Sequence, residues 1–84
     1  MSWQPSPDRY HVPRMGWEKI IGGNLRRFRH ARGMTQEGLA AEVHLDVRQI
    51  GRIERGQSYP SIGLLVHLAE LLGVQPGQFF EREP

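Results

Sequence analysis

The chain has no cysteine, and no apolar run approaches the roughly 18 to 20 residues that a bilayer-spanning helix needs. The first absence removes disulfides and cysteine-held zinc as supports for the small core of an 84-residue chain, and nothing points to an oxidising compartment. The second, with an N-terminus that lacks the apolar stretch of a secretory signal, sets the expectation of a cytoplasmic protein with no membrane partner. Residue pairs suited to catalysis are missing too. There is no glycine elbow, no paired carboxylate and no phosphate loop, so an enzyme is not expected. His11, His30, His44 and His67 stand apart, without carboxylate or cysteine partners at ligand spacing, so neither a metal nor any other cofactor is expected. No β-alternation of useful length and no internal repeat is found.

What the chain does have is arginine, unevenly placed. Residues 19 to 59 carry eight basic side chains (Lys19, Arg26, Arg27, Arg29, Arg32, Arg48, Arg52, Arg55) against Glu37, Glu42, Asp46 and Glu54, a net of +4. The formal net charge of the whole is +2, so the remainder is net −2. Seven of the eight are arginines, whose planar fork suits phosphates and guanine edges. A basic face on a nearly neutral protein points weakly to nucleic acid.

Residues 1 to 16, with three prolines and no sustained period, read as a flexible arm; residues 17 to 84 read as one domain. From Trp17 the apolar spacing is helical, with Ile21, Leu25 and Phe28 on one face and Gly33 ending the segment. Gly22 and Gly23 make its start soft. Thr35 is a good N-cap for a second helix, Gln36 to Val43, and Asp46 for a third, to about Arg55, closed by Gly56. Only His44 and Leu45 separate these two, which forces a tight turn. Ser61 caps a fourth helix, Ile62 to Leu72, ended by Gly73. It is apolar except for a stripe of Gly63, His67 and Glu70, so it is expected to be central and buried on most sides. Pro76 opens a last short helix through Phe79 and Phe80 to about Arg82. One of those two phenylalanines should close the core and the other face outward as a dimer contact.

The third helix carries the chemistry. If Ile50 and Ile53 point inward, then Val47, Arg48, Gly51, Arg52 and Arg55 lie on the outer side. Two short helices joined by so tight a turn need support from the first and fourth, which leaves this outer face free. A projecting helix of that kind fits the major groove of B-DNA, about 12 Å wide. The starts of the second and third helices, near Thr35 to Glu37 and Asp46 to Arg48, present free N–H groups to phosphate.

From "NLRRFRHARGMTQ" through "RIERG" to "PSIGLLVHLAELLGV", in that order and at matching spacing, about two thirds of the chain resembles the phage repressor and Cro (Xre) family of helix-turn-helix proteins. The resemblance implies an all-α, compact, five-helix, lambda-repressor-like domain whose helix-turn-helix spans about residues 36 to 55. It implies sequence-specific binding of double-stranded DNA by a homodimer, in a transcriptional regulator expected to repress and to reside at the nucleoid. Base edges would be read by Val47, Arg48, Gly51 and Arg52. The DNA backbone would be held by Thr35 and Gln36, by Gln49 and Arg55, and by Gln57, Ser58 and Tyr59 in the following loop. Arg29 and Glu54 are implied as an ion pair inside the fold.

The chain departs from that pattern in three places. His44 stands where the turn normally has glycine, and in the left-handed region it costs about 1 kcal/mol relative to glycine. Gly38 replaces the glutamate of a capping box, so the second helix depends more on packing. At the reading positions Val47 offers only an apolar contact, suited to a thymine methyl, and the specificity falls to Arg48 or Arg52 gripping one guanine per half-site. Two other readings stay open: an antitoxin-type or adaptor protein whose main partner is another protein, and an interaction module that keeps the fold without DNA binding. For the arm, Arg9 or Arg14 could enter a minor groove, or the segment could be a disordered leader.

Overall fold

Ile21, Leu25 and Phe28 are all buried in the computed structural model, which describes residues 16–82, and they line the inner face of α1, Trp17–Ala31. The arm, with Arg9, His11 and Arg14, lies outside the described residues apart from Gly16. Three further helices follow: α2, Gln36–Glu42; α3, Val47–Glu54; and α4, Ile62–Leu72. Their starts are capped as the side chains dictate. Thr35 Oγ1 accepts from Gly38 N at 2.9 Å, Asp46 Oδ1 from Arg48 N at 2.8 Å, and Ser61 Oγ from Leu64 N at 3.1 Å. Gly33, Gly56 and Gly73 take positive φ just beyond the ends of α1, α3 and α4.

The core gathers Leu39, Ala40 and Val43 with Ile50, Ile53, Leu65, Leu68, Ala69, Leu72 and Phe79 around the α1 face. Phe79 is fully buried and meets Phe28 edge to face, ring centroids 5.3 Å apart. Phe80 faces outward and tilts against Trp17 at 6.2 Å, the division expected of the pair.

Two expectations are corrected. The fifth element is not an α-helix reaching Arg82 but a 3-10 helix, Pro76–Phe80, so the described residues hold four α-helices and one 3-10 turn. Its end is drawn out by Asn24, which is buried on α1 and donates from Nδ2 to the carbonyl oxygens of both Phe79 (2.7 Å) and Glu81 (2.8 Å). Carbonyls committed to a side chain on another helix no longer propagate this one, and the backbone is extended at Glu81.

The second correction concerns α4. It buries Leu65, Leu68, Ala69 and Leu72, but Ile62 is 84 % exposed and Val66 37 %. The neighbours cover one side of this helix and leave an apolar strip outside. No helix among the described residues is long and apolar enough to cross a membrane.

What fixes α3 is a close approach of backbones. A Cβ added to Gly22 would overlap the carbonyl oxygen of Ile53 and stand 2.9 Å from that of Glu54. The C-terminal end of α3 thus rests directly on the backbone of α1, where only glycine fits. Gly23, next in sequence, meets nothing within 4 Å. The glycine pair that weakens α1 as an isolated helix includes the residue that lets α3 dock.

Candidate nucleic-acid interface

Behind the outer face of α3 sits an ion pair that ties three elements together. Arg29 Nε donates to Glu54 Oε2 at 2.6 Å and Nη2 to Oε1 at 2.9 Å, with the two side chains 8 % and 3 % exposed. The remaining capacity is used as well: Arg29 Nη1 donates to the Met34 carbonyl (2.8 Å), and Gln36 Nε2 donates to Glu54 Oε1 (3.0 Å). Burial pushes the Glu54 carboxyl up, but hydrogen bonds from Arg29 and Gln36 and the charges of Arg29 and Arg26 outweigh it and hold it below the usual range. The hydrogen bond to Glu54 likewise raises the Arg29 guanidinium further above its ordinary value, against the opposing effect of burial. The pair implied by the family pattern is therefore in place, and Gln36 joins it, which places the start of α2 against the end of α3.

The turn between α2 and α3 passes through His44 at φ 57, in the left-handed region. Leu45 N then bonds back to the Ala40 carbonyl at 2.9 Å, which closes the turn as a glycine would. With the turn set, Ile50 and Ile53 point inward and Arg48, Gln49, Arg52 and Arg55 are exposed, while Val47 is half-buried.

The outward residues are not equivalent. Arg48 reaches back to its own helix cap, with Nη2 3.3 Å from Asp46 Oδ2 and Nε 3.4 Å from Oδ1, both groups in solvent. Hydrogen bonds from the backbone and then the side chain of Arg48 hold the Asp46 carboxyl below its usual range. The side chain of Arg52 makes no hydrogen bond or ion pair among the described residues, and Arg55 donates to Gln57 Oε1 from Nε (3.4 Å) and Nη2 (3.3 Å). Gly51 differs from the expectation: it is buried, because the guanidinium of Arg55 lies over it.

Of the other expected contact residues, Gln36 is half-buried and bonded to Glu54 at the end of α3, Gln57 holds the Arg55 guanidinium, Ser58 and Tyr59 line one hollow with Gln49 and Arg52, and Thr35 is exposed at its helix start. Thr35 and Gln36 were expected there as the start of a helix, and Gln57, Ser58 and Tyr59 from the family resemblance; what packs their elements together is the contact of α3 with α2 and α1. Two contacts carried no signal in the periodicity. Gln36 to Glu54 joins residues 18 apart, and Asn24 to Phe79 joins residues 55 apart. The cover of Arg55 over Gly51 did leave a trace, a long side chain four positions after a missing one on a helix. No group of His, Asp and Glu among the described residues could hold a metal ion.

Comparison with known proteins agrees with this architecture. The family model described as "Helix-turn-helix domain" matches residues 20–79. The uncharacterized HTH-type transcriptional regulator y4dJ of Sinorhizobium fredii is 35 % identical over 60 residues, 71 % of this chain and 78 % of that protein. The uncharacterized HTH-type transcriptional regulator YazB of Bacillus subtilis is 38 % identical over 56 residues, 67 % of this chain and 81 % of that one. Among solved structures, the restriction-modification controller protein C.AhdI from Aeromonas hydrophila superposes with a TM-score of 0.69 at 35 % identity, over 74 % of this chain and 94 % of its own.

Proposed function

The chain belongs to the helix-turn-helix domain family of the phage repressor and Cro (Xre) type, whose members are DNA-binding transcriptional regulators, and we propose that it represses transcription by occupying a specific duplex site. The observation that carries this reading is the outer face of α3. A rigidly docked helix presents Arg48, Arg52 and Arg55 to solvent while its hydrophobic residues are committed to the core.

In this reading α3 and its C-cap, residues 47 to 55, enter the major groove, with Val47, Arg48 and Arg52 against base edges. The starts of α2 and α3 meet phosphates through Thr35, Gln36 and the free N–H groups, and Gln49, Gln57, Ser58 and Tyr59 flank toward the backbone. The Arg48–Asp46 pair is exposed and weak, so it opens at little cost when a base edge or phosphate competes. The site of action is the nucleoid.

A palindromic operator and a homodimer complete the proposal, with the two α3 helices about 34 Å apart. Trp17, Tyr59, Ile62, Val66 and Phe80, all exposed, line one apolar groove that shares only Tyr59 with the DNA-facing set. A second copy is the occupant we assign to it, because a self-complementary patch buries the same residues twice and leaves both α3 helices free.

Selection of bound sites from a random duplex pool, followed by titration at several salt concentrations, tests the DNA reading. A symmetric motif and a steep fall of affinity with salt are expected; recovery of no motif would refute it. Sedimentation at micromolar concentration tests the dimer. A monomer that stays monomeric on its operator would favour the second reading, in which the apolar groove serves a different protein partner.

A further inference from the structure

Gly51 lies on the outward side of α3, in the middle of the helix, where glycine is a poor choice on propensity alone. Its place is nevertheless filled. A Cβ there would stand 2.9 Å from Nη1 of Arg55, 3.7 Å from Cζ and 3.8 Å from Nη2, so the guanidinium occupies the space where a side chain at position 51 would be. Side chains on a helix lean toward its N-terminus, which is how residue 55 comes to cover residue 51.

We infer that Arg55 is a base-reading residue, its guanidinium standing in at the reading position that Gly51 leaves empty, and that its partner is a guanine. This rests on the DNA reading above and revises the backbone role that the family pattern implies for residue 55. The geometry of the fork supports it. Gln57 Oε1 accepts from Nε and Nη2, which engages one edge of the guanidinium. The other pair of donors, both hydrogens of Nη1 and the second of Nη2, has no partner among the described residues. That end presents two parallel N–H groups, the arrangement that matches O6 and N7 of guanine. Gln57 thereby acts as a positioning residue that orients the fork, and Gly51 as the clearance that admits it. Arg48, by contrast, is turned back to Asp46.

Site selection with the full chain and four variants separates this from its rivals. Arg55→Ala should erase the preference for guanine at one position of each half-site, a loss of roughly five- to hundredfold against other bases, and leave the rest of the motif intact. Arg55→Lys keeps the charge but not the fork, so overall affinity should change little while the same position loses its preference. Gly51→Ala should displace the guanidinium and alter that position alone, and Gln57→Ala should weaken the same preference partially. Circular dichroism confirms that each variant is folded. If Arg55→Ala weakens all sequences uniformly, with the salt slope smaller by about one and the motif unchanged in Arg55→Lys, residue 55 is a phosphate contact and the inference falls. If the unaltered chain selects no motif, the DNA reading falls first, a different and distinguishable result.

Discussion

Removing the carboxylate of Glu54 is the perturbation that most directly probes how the reading helix is held. Its two oxygens accept three hydrogen bonds, two from Arg29 and one from Gln36, in a site where the side chain is 3 % exposed. In Glu54→Ala the guanidinium of Arg29, itself 8 % exposed, keeps only the Met34 carbonyl as partner. An uncompensated charge at that depth costs about 3 to 5 kcal/mol, against a total stability of about 5 to 15 kcal/mol for a domain of ordinary size. Each kcal/mol lowers the melting temperature of a 60 to 100 residue domain by about 4 to 8 °C, so the variant should melt at least about 12 °C lower or be unfolded at room temperature. Replacing both charges, Arg29→Met with Glu54→Leu, removes the orphan and should recover most of the loss, with Gln36 and the Met34 carbonyl left to water. Urea unfolding of the wild type, Arg29→Met, Glu54→Leu and the double variant gives the coupling energy, with Glu54→Ala measured beside them. A cost for Glu54→Ala below about 1 kcal/mol, or a double variant no better than the singles, would refute the claim that this pair is a buried clamp between α1, α2 and α3.

Acid should weaken the fold through the same carboxyl. Because Glu54 ionises more readily folded than unfolded, its contribution is complete above the unfolded value of about 4.3 and is lost as pH falls through the lower folded value, so stability should decline below about pH 4 and decline less in Glu54→Gln. The raised Arg29 guanidinium contributes below its unfolded value and loses that contribution only in strong alkali, outside any working range. Adjacent glycines on α1 should respond in opposite senses: Gly22→Ala, which forces a methyl into the Ile53 carbonyl, should cost at least about 2 kcal/mol, whereas Gly23→Ala, which meets nothing, should stabilise by about 0.5 to 1 kcal/mol in thermal melts. At the turn, His44→Gly should gain up to about 1 kcal/mol by relieving a left-handed histidine, and a loss there would mean that the imidazole makes a contact outweighing the strain.

The candidate interface was legible to different depths. Arg48, Arg52 and Arg55 could be placed outside because Ile50 and Ile53 fix the helix phase, and the Arg29–Glu54 pair followed from family resemblance. That Arg48 folds back on Asp46, and that Arg55 rather than a side chain at 51 fills the centre of the face, depends on rotamers that helical phase does not set.

Sequence alone determined the four α-helices, their three side-chain caps and the phase of the core, since these are decided within a few residues by spacing, by a hydroxyl or carboxylate at three of the starts, and by a terminating glycine at three of the ends. Tertiary structure decided what depends on surfaces meeting across long separations. Ile62 and Val66 are exposed because none of the other described elements covers that side of α4, although its sequence reads as a buried helix. The last element stops at Phe80 because Asn24, 55 residues before Phe79, takes the Phe79 carbonyl that a longer helix would need. Gly22 is required because a backbone 31 positions away comes to rest against it, and a glycine's value as empty space appears only when something occupies that space.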